Sequence, residues 1–456
     1  MTKQDKKLSI IPFVVLVVIS ILGLIFDGTP KEGVPNDVTT VKLGLDTGDT
    51  SWMLISSALV LIMTPGLALF YSGMVNAKNL ISTMLQSFIC MGIISVLWIV
   101  VGYSLAFGES IGGFIGNPMT HFMMKGVFDS GISWKFAPTI PLALFAFFQL
   151  KFAVITPALI TGSFSERVKF TSYILFACLF SILIYAPLAH WTWHPQGFLC
   201  AMGVLDFAGG TVVHISAGCA ALAAALYLGK RKETVHTDPA NIPYVLLGTG
   251  LLWFGWFGFN AGSAVGAGGL AVSAFAATNT AAAAAGMAWI LFDSVKGKAP
   301  SAMGFCIGVV VGLVAITPAA GFVTIPISIF IGVVASIVSN LMVTWRAKAG
   351  IDDTLDVFPC HGVGGITGML MTGIFASTAV NSAVAAGNQG LFYGESTLFV
   401  NHLIALAIVV AFAFGGSYIL LIITNLVSPL RVSEEDEKVG LDVTQHSEKL
   451  TWGGVE

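Results

Sequence analysis

Charge is scarce in this chain. Asp, Glu, Lys and Arg together make up 10% of its 456 residues, whereas soluble domains carry about 25%. That shortage excludes an ordinary soluble domain. Cysteine is sparse and scattered: Cys90, Cys178, Cys200, Cys219, Cys306 and Cys360 lie mostly inside apolar runs without CxxC spacing. The pattern excludes a disulfide framework and a structural zinc set. A net charge of -3 selects no class of partner, and no nucleic-acid partner is expected. What the chain has in quantity is apolar: 56% hydrophobic residues, a mean hydropathy of +0.88 and 51 glycines. Small residues in such number suit closely packed transmembrane helices.

A bilayer crossing takes about 20 apolar residues. Eleven such segments follow residue 50, near Trp52–Val75, Met84–Phe107, Ile140–Ser163, Ser172–His190, Gly210–Leu228, Ile242–Ala261, Leu270–Phe292, Ala302–Pro318, Val323–Trp345, Gly362–Ser377 and Val400–Val427. An earlier run, Leu8–Phe26, follows the basic start Lys3, Lys6 and Lys7. It reads either as a signal peptide or as a retained helix; the lack of an A-x-A-like site around Gly23–Lys31 favours the helix. Sixteen of the 21 Lys and Arg residues fall on one side of this arrangement. By the positive-inside rule, that side, which carries the even loops and the C-terminus, is cytoplasmic. The expected organisation is an apolar segment and outer loop over 1–50, a membrane domain over 51–428 and an acidic cytoplasmic tail over 429–456.

Two histidines stand out. His214 and His361 each sit in an uncharged apolar stretch, and each follows an aspartate, Asp206 or Asp353, by eight residues. Five helices followed by five more would make the halves inverted repeats, a plan that places substrate sites near the midplane. Ionisable residues inside a membrane default to a functional reading, often an ion or proton pathway. Two other readings remain open at this point. The pair could be separately satisfied core histidines. They could also be axial ligands of a heme, although the Gly/Ala crowding around both leaves little room for a porphyrin.

The segments carrying these residues resemble the Amt/Mep/Rh ammonium transporter family. Asp206-Phe-Ala-Gly-Gly-Thr-Val-Val-His214 is similar to the family's first pore-histidine motif, and Phe358-Pro-Cys-His361-Gly-Val-Gly-Gly365 to its second. Trp256-Phe-Gly-Phe-Asn-Ala-Gly-Ser263, Thr64–Tyr71, and Phe148-Gln149 with Phe152 and Ser165-Glu166-Arg167 resemble further family motifs, covering about Ser51 to Glu448 in order. The resemblance implies an all-α membrane bundle of eleven helices: two inverted five-helix repeats plus a long last helix, with an extra N-terminal helix if Leu8–Phe26 is kept. It implies an ammonium transporter rather than an enzyme, needing no cofactor, assembled as a homotrimer in the plasma membrane.

The resemblance also assigns roles. Phe152, Trp193 and Ser263 would bind ammonium in an outer vestibule, Phe152 and Phe259 would form a gate below it, and His214 and His361 would line the pore and relay protons. Neutral imidazoles carry one donor and one acceptor nitrogen, which suits a relay. Asp206 reads as a helix cap with an electrostatic role, and Asp356 as its counterpart in the second half. Trp191 reads as an interfacial belt residue. Gly440, Leu441 and Asp442 resemble the family's regulatory tail, which implies docking on cytoplasmic loops and a PII-type regulatory partner. Lys151 departs from the family pattern, and at about 100° from Phe152 on a helix it points elsewhere. A neutral ammonia or carbon dioxide channel and an ammonium sensor are the alternative functions.

Overall fold

The computed structural model describes residues 3–26, 29–232, 238–385 and 387–450, with side chains from Ile10 onward. The side chains of Lys3, Lys6 and Lys7, the loop positions 27–28 and the tail end 451–456 lie outside the described residues.

An N-terminal helix, α1 (Lys3–Ile25), precedes the bundle. The bundle helices are α2 (Thr47–Met74), α3 (Ala77–Phe107), α4 (Leu142–Phe164), α5 (Phe170–Ala201), α6 (Gly210–Leu228), α7 (Ile242–Ala264), α8 (Gly269–Val295), α9 (Ala302–Ile316) and α10 (Ile325–Ala349). They continue with α11, a turn over Phe358–Val363 running into Gly364–Phe375, and α12 (Thr397–Val427). Among the described residues nine helices are long and apolar enough to cross a membrane, and α9 and α11 are shorter. The second crossing starts at Ala77 rather than Met84, and the fourth runs beyond His190 with a break after Trp193. Starts are fixed by side-chain caps: Asp46 accepts from Asp49 N–H, Asn241 from Tyr244 N–H and Ser301 from Gly304 N–H, each satisfying a free donor of the first turn.

Glycine lets these helices touch. A Cβ on Gly248 of α7 would lie 2.4 Å from the Phe70 backbone nitrogen of α2, and one on Gly218 of α6 would lie 2.2 Å from that of Gly362 in α11. Small residues at such crossings let backbones approach and gain dispersion contact without hydrophobic drive. Among the described residues five π-type turns interrupt the helices, at Trp98–Gly102, Ser181–Tyr185, Gly210–Ile215, Phe257–Ala261 and Phe358–Val363.

One face of the bundle carries the long loops. There β1 (Thr40–Lys42) pairs antiparallel with a strand at Ile132–Trp134, and Ser110–Ile111 pairs with Ile115–Gly116. This layer buries Trp191, whose indole donates to Phe114 O at 2.6 Å and whose ring packs on Phe198 and Phe412. The belt reading of Trp191 therefore fails, because loop residues cover the position where the sequence suggests an interface.

The opposite face holds the tail. Arg231 forks between Asp352 and Glu166, and Arg431 pairs with Glu437. Burial lowers the Arg167 guanidinium to about 10, with Asp352 pulling it back up, so it stays a cation at neutral pH. Two short helices, α13 (Glu434–Val439) and α14 (Leu441–His446), lie against the loops between the crossings. The Asp442 carboxylate accepts from Ile81 N–H at 3.0 Å and Ser82 N–H at 2.7 Å, capping the first turn of α3. Gly440 sits at φ +110° with its missing Cβ only 2.7 Å from Lys78 Cβ, a place that only glycine fits.

Candidate functional site

Both histidines stand on π-type turns that open their helices, His214 in Gly210–Ile215 and His361 in Phe358–Val363. Such turns add one residue per turn, rotate side chains out of α-helical register and cluster at functional positions. The two rings meet in the buried centre of the bundle. Their Nδ1 atoms lie 3.4 Å apart, with ring centroids at 5.4 Å and planes at 27°. The contact is possible because Gly218 and Gly362 let α6 and α11 touch, and because Gly365 leaves room beside His214 Cβ, 3.2 Å from where its own Cβ would stand. Two nitrogens facing each other can share one hydrogen, so one ring donates and the other accepts. His214 Nε2, on the far edge of its ring, is buried and has no hydrogen-bond partner among the described residues.

Around the pair the wall is apolar. Met63, Leu67, Ile155, Leu159, Leu252 and Val310 line the same cavity as the two imidazoles. Trp256 stacks on His214 at 5.4 Å and 18°, held by its indole N–H donating to Thr317 Oγ1 at 2.9 Å. The sequence reading did not single out Trp256. Its place within the motif ending at Ser263 was the only available signal. A second cavity continues from His361 towards the tail face, lined by Phe70, Tyr71, Met74, Ile307, Leu355 and Cys360.

Towards the loop face the rings stack upward from the histidines. Phe259 lies 5.9 Å from His214, and Phe152 lies 4.2 Å from Phe259 at 34°. Both phenylalanines are buried, and together they close the passage. Above them Trp193 meets Phe152 edge-on at 5.9 Å and 82°. Its indole N–H donates to Asp206 O at 3.0 Å, which fixes the ring. Ser263 Oγ donates to Phe259 O at 2.8 Å, leaving its lone pairs to accept from a ligand. Trp193 and Ser263 are half-buried.

Asp206 gives all its capacity to the start of α6. One oxygen accepts from Gly209 N–H at 2.8 Å and Gly210 N–H at 2.6 Å; the other accepts from Thr211 N–H at 2.7 Å and from Thr211 Oγ–H. In the second half this capping falls to Asp353, which accepts from Phe358 N–H at 2.8 Å. Asp356 instead turns the chain at φ +56° and pairs with Arg346 at 2.5 Å. The counterpart of Asp206 is thus Asp353, matching the eight-residue spacing, while Asp356 is held by an ion pair. Lys151 points away from the Phe152–Phe259 ring pair, with Nζ 5.8 Å from the Phe147 ring centroid.

Comparison with known proteins points to one family. Residues 51–451 match the model of the Ammonium Transporter Family. The chain is 47% identical over 407 residues to an ammonium transporter of Bacillus subtilis, covering 89% of this chain and 98% of that one. It is 44% identical over 406 residues to ammonium transporter Amt1 of Archaeoglobus fulgidus, covering 89% and 99%. Among solved structures it is similar to Mep2 of Saccharomyces cerevisiae, with a TM-score of 0.81, 33% identity and 89% and 93% coverage. It is also similar to a sensor Amt protein, with a TM-score of 0.80, 30% identity and 88% and 98% coverage.

Proposed function

Because this chain belongs to the ammonium transporter family, we propose that it binds ammonium beside Trp193, strips it of a proton and passes ammonia and proton separately through the bundle. The observation that carries this reading is the contact of two imidazoles inside an apolar cavity, below a closed pair of phenylalanine rings. Moving a bare cation into such a cavity costs several kcal/mol (order of magnitude). Neutral ammonia avoids that cost. Potassium has no proton to give up, so the same cavity rejects it.

Each step has a group suited to it. The fixed face of Trp193 attracts the cation, and Ser263 Oγ accepts one of its N–H bonds. Loss of a proton gives ammonia, which slips past Phe152 and Phe259. The proton moves along His214 and His361, one imidazole accepting at one nitrogen as the pair releases at the other. Ammonia is reprotonated beyond Leu355 and Cys360. Net transfer of one charge per ammonium makes the process electrogenic. The loop face is then the outside and the tail face the cytoplasm, an orientation the basic loops support. By likeness to its relatives the protein acts as a homotrimer in the plasma membrane, and a PII-type protein has the loops and docked tail of the cytoplasmic face to bind.

The test is the current from purified protein in proteoliposomes after an ammonium jump, with potassium as control. A saturable ammonium current absent with potassium supports the proposal. Vesicle alkalinisation without current would mean a neutral ammonia channel, and binding with neither signal a sensor.

Trp193→Leu removes the cation–π face, worth up to ~2 kcal/mol when desolvated. The ammonium concentration giving half-maximal current should rise by up to ~30-fold, since ~1.4 kcal/mol is tenfold. An unchanged concentration dependence would show that recruitment happens elsewhere. Asp442→Ala should free the tail, because it removes the acceptor of Ile81 and Ser82 N–H. Limited proteolysis should then cut the tail at least several-fold faster than in the parent protein; equal rates would mean that Asp442 does not hold it.

A further inference from the structure

One face of α2 holds the end of α7. Asp49, Trp52 and Ser56 stand three and four residues apart in the chain and so share that face. A Cβ on Gly258 would lie 2.8 Å from Ser56 O. One on Gly262 would lie 2.7 Å from Ser56 Cβ and 3.0 Å from Phe148 Cε2 of α4. The Trp52 indole N–H donates to Ala261 O at 3.4 Å. Nearest the loop face, Asp49 Oδ1 accepts from Ala267 N–H at 2.8 Å and lies 3.1 Å from where a Gly266 Cβ would stand. Ser263 sits inside this clamped stretch.

The stretch is held in a strained shape. Val265 has φ +51° and ψ 25°, the left-handed region, where a β-branched residue is a genuine outlier. Its N–H donates to Gly262 O at 2.9 Å, which closes the turn. Beyond it Gly266, Gly268 and Gly269 leave the chain free to move up to the start of α8. Among the described residues, Asp49 is the only side chain that bonds the backbone of residues 266–269. A strained residue of this kind persists only where its surroundings hold it. Here the hold comes from the α2 face on one side of Val265 and the Asp49 carboxylate on the other.

We infer that Asp49 is a positioning residue for the outer site, holding the turn after α7 so that Ser263 Oγ faces the ligand. This rests on the binding role proposed above for Ser263. That serine lies two residues before Val265, and its hydroxyl is aimed by its bond to Phe259 O. A Val265 that relaxes out of the left-handed region rotates the segment and turns the serine's lone pairs away. Asp49 acts through Ser263 rather than on ammonium itself. Without it the turn spends part of its time out of place, and apparent affinity falls by the fraction lost. A carboxylate that served only the dipole of α2 would affect stability and leave affinity alone.

The test is uptake of labelled methylammonium into proteoliposomes, fitted for half-saturating concentration and maximal rate, with a thermal melt of each preparation. Asp49→Ala should raise the half-saturating concentration about tenfold, the result of a turn in place about a tenth of the time. The maximal rate should stay near that of the parent. Asp49→Asn keeps an acceptor oxygen and should stay close to the parent; a loss equal to alanine's would overturn the hydrogen bond as the cause. Val265→Gly and Val265→Asn let the left-handed turn form without strain. Added to Asp49→Ala, either should restore the parent's half-saturating concentration, because the turn no longer needs holding. Double variants as weak as Asp49→Ala would overturn the inference. So would an Asp49→Ala protein that melts lower yet saturates like the parent. Ser263→Ala separates this inference from the reading beneath it. If half-saturation does not move in Ser263→Ala, the binding role of the serine fails and the positioning role with it. If it rises in Ser263→Ala but not in Asp49→Ala, the positioning role alone fails.

Discussion

Vesicles carrying the His214→Ala/His361→Ala double variant are expected to lose discrimination between ammonium and potassium, the current ratio falling by ~100-fold or more. In the parent protein the cavity beneath Phe259 is lined by apolar side chains, Trp256 among them, and the two imidazoles; on the proposed mechanism only a species that sheds its charge crosses it, and the proton takes its own carrier. The Nδ1 contact at 3.4 Å is the only polar link across the cavity that the described residues supply. Alanine at both positions removes the carrier and leaves space where the rings stood. Either water fills that space and cations pass without losing a proton, or the cavity stays dry and the ammonium current disappears. Both results abolish selective, proton-coupled current, and a tenfold change corresponds to ~1.4 kcal/mol. Thermal melts of the same preparation separate this from unfolding, since emptying two ring-sized sites costs on the order of 3 kcal/mol each. A folded double variant with the parent's ammonium current and potassium rejection would remove the histidines from the mechanism.

The crossings were legible because the bilayer imposes a length and an apolar composition on each of them, and the histidines because a membrane core makes polar residues conspicuous. Local geometry was less legible. A π-type turn differs from an α-helix by one residue per hydrogen-bonded turn, which leaves no mark in composition, yet it is what aims His214, Phe259 and His361 into one passage. Trp256 was one apolar residue among many until its ring proved to stack on His214. Asp353 and Asp356 stand three residues apart, and only backbone conformation tells the cap from the turn: Asp356 is at φ +56° beside Arg346. Trp191 was misread because hydropathy does not show that a loop folds back over a helix end. Asp206 was legible as a cap from the Gly-Gly-Thr that follows it, though its hold on Trp193 through a backbone carbonyl was not.

That double role gives Asp206→Asn a large expected effect. The carboxylate accepts three backbone N–H groups and the Thr211 hydroxyl. Hydrogen bonds to a charged group contribute about 1.5–3 kcal/mol each, and they act here as a unit, so their energies do not simply add. An asparagine amide turns an NH2 towards donors that need an acceptor, leaving at least one of them unsatisfied. Stability should fall by about 1–3 kcal/mol, the cost of leaving a buried donor unsatisfied. The start of α6 would loosen, the Asp206 carbonyl would shift, and Trp193 would lose the bond that holds its ring against Phe152. Transport should fall with stability, and at temperatures where the variant is still folded the half-maximal ammonium concentration should rise as it does for Trp193→Leu. Thr211→Val is the graded control. It removes a single hydroxyl donor and should cost about 1 kcal/mol while leaving ammonium dependence close to that of the parent. If Asp206→Asn melts with the parent and transports like it, the carboxylate neither caps α6 to any useful extent nor sets the tryptophan, and the binding site would have to be sought without it.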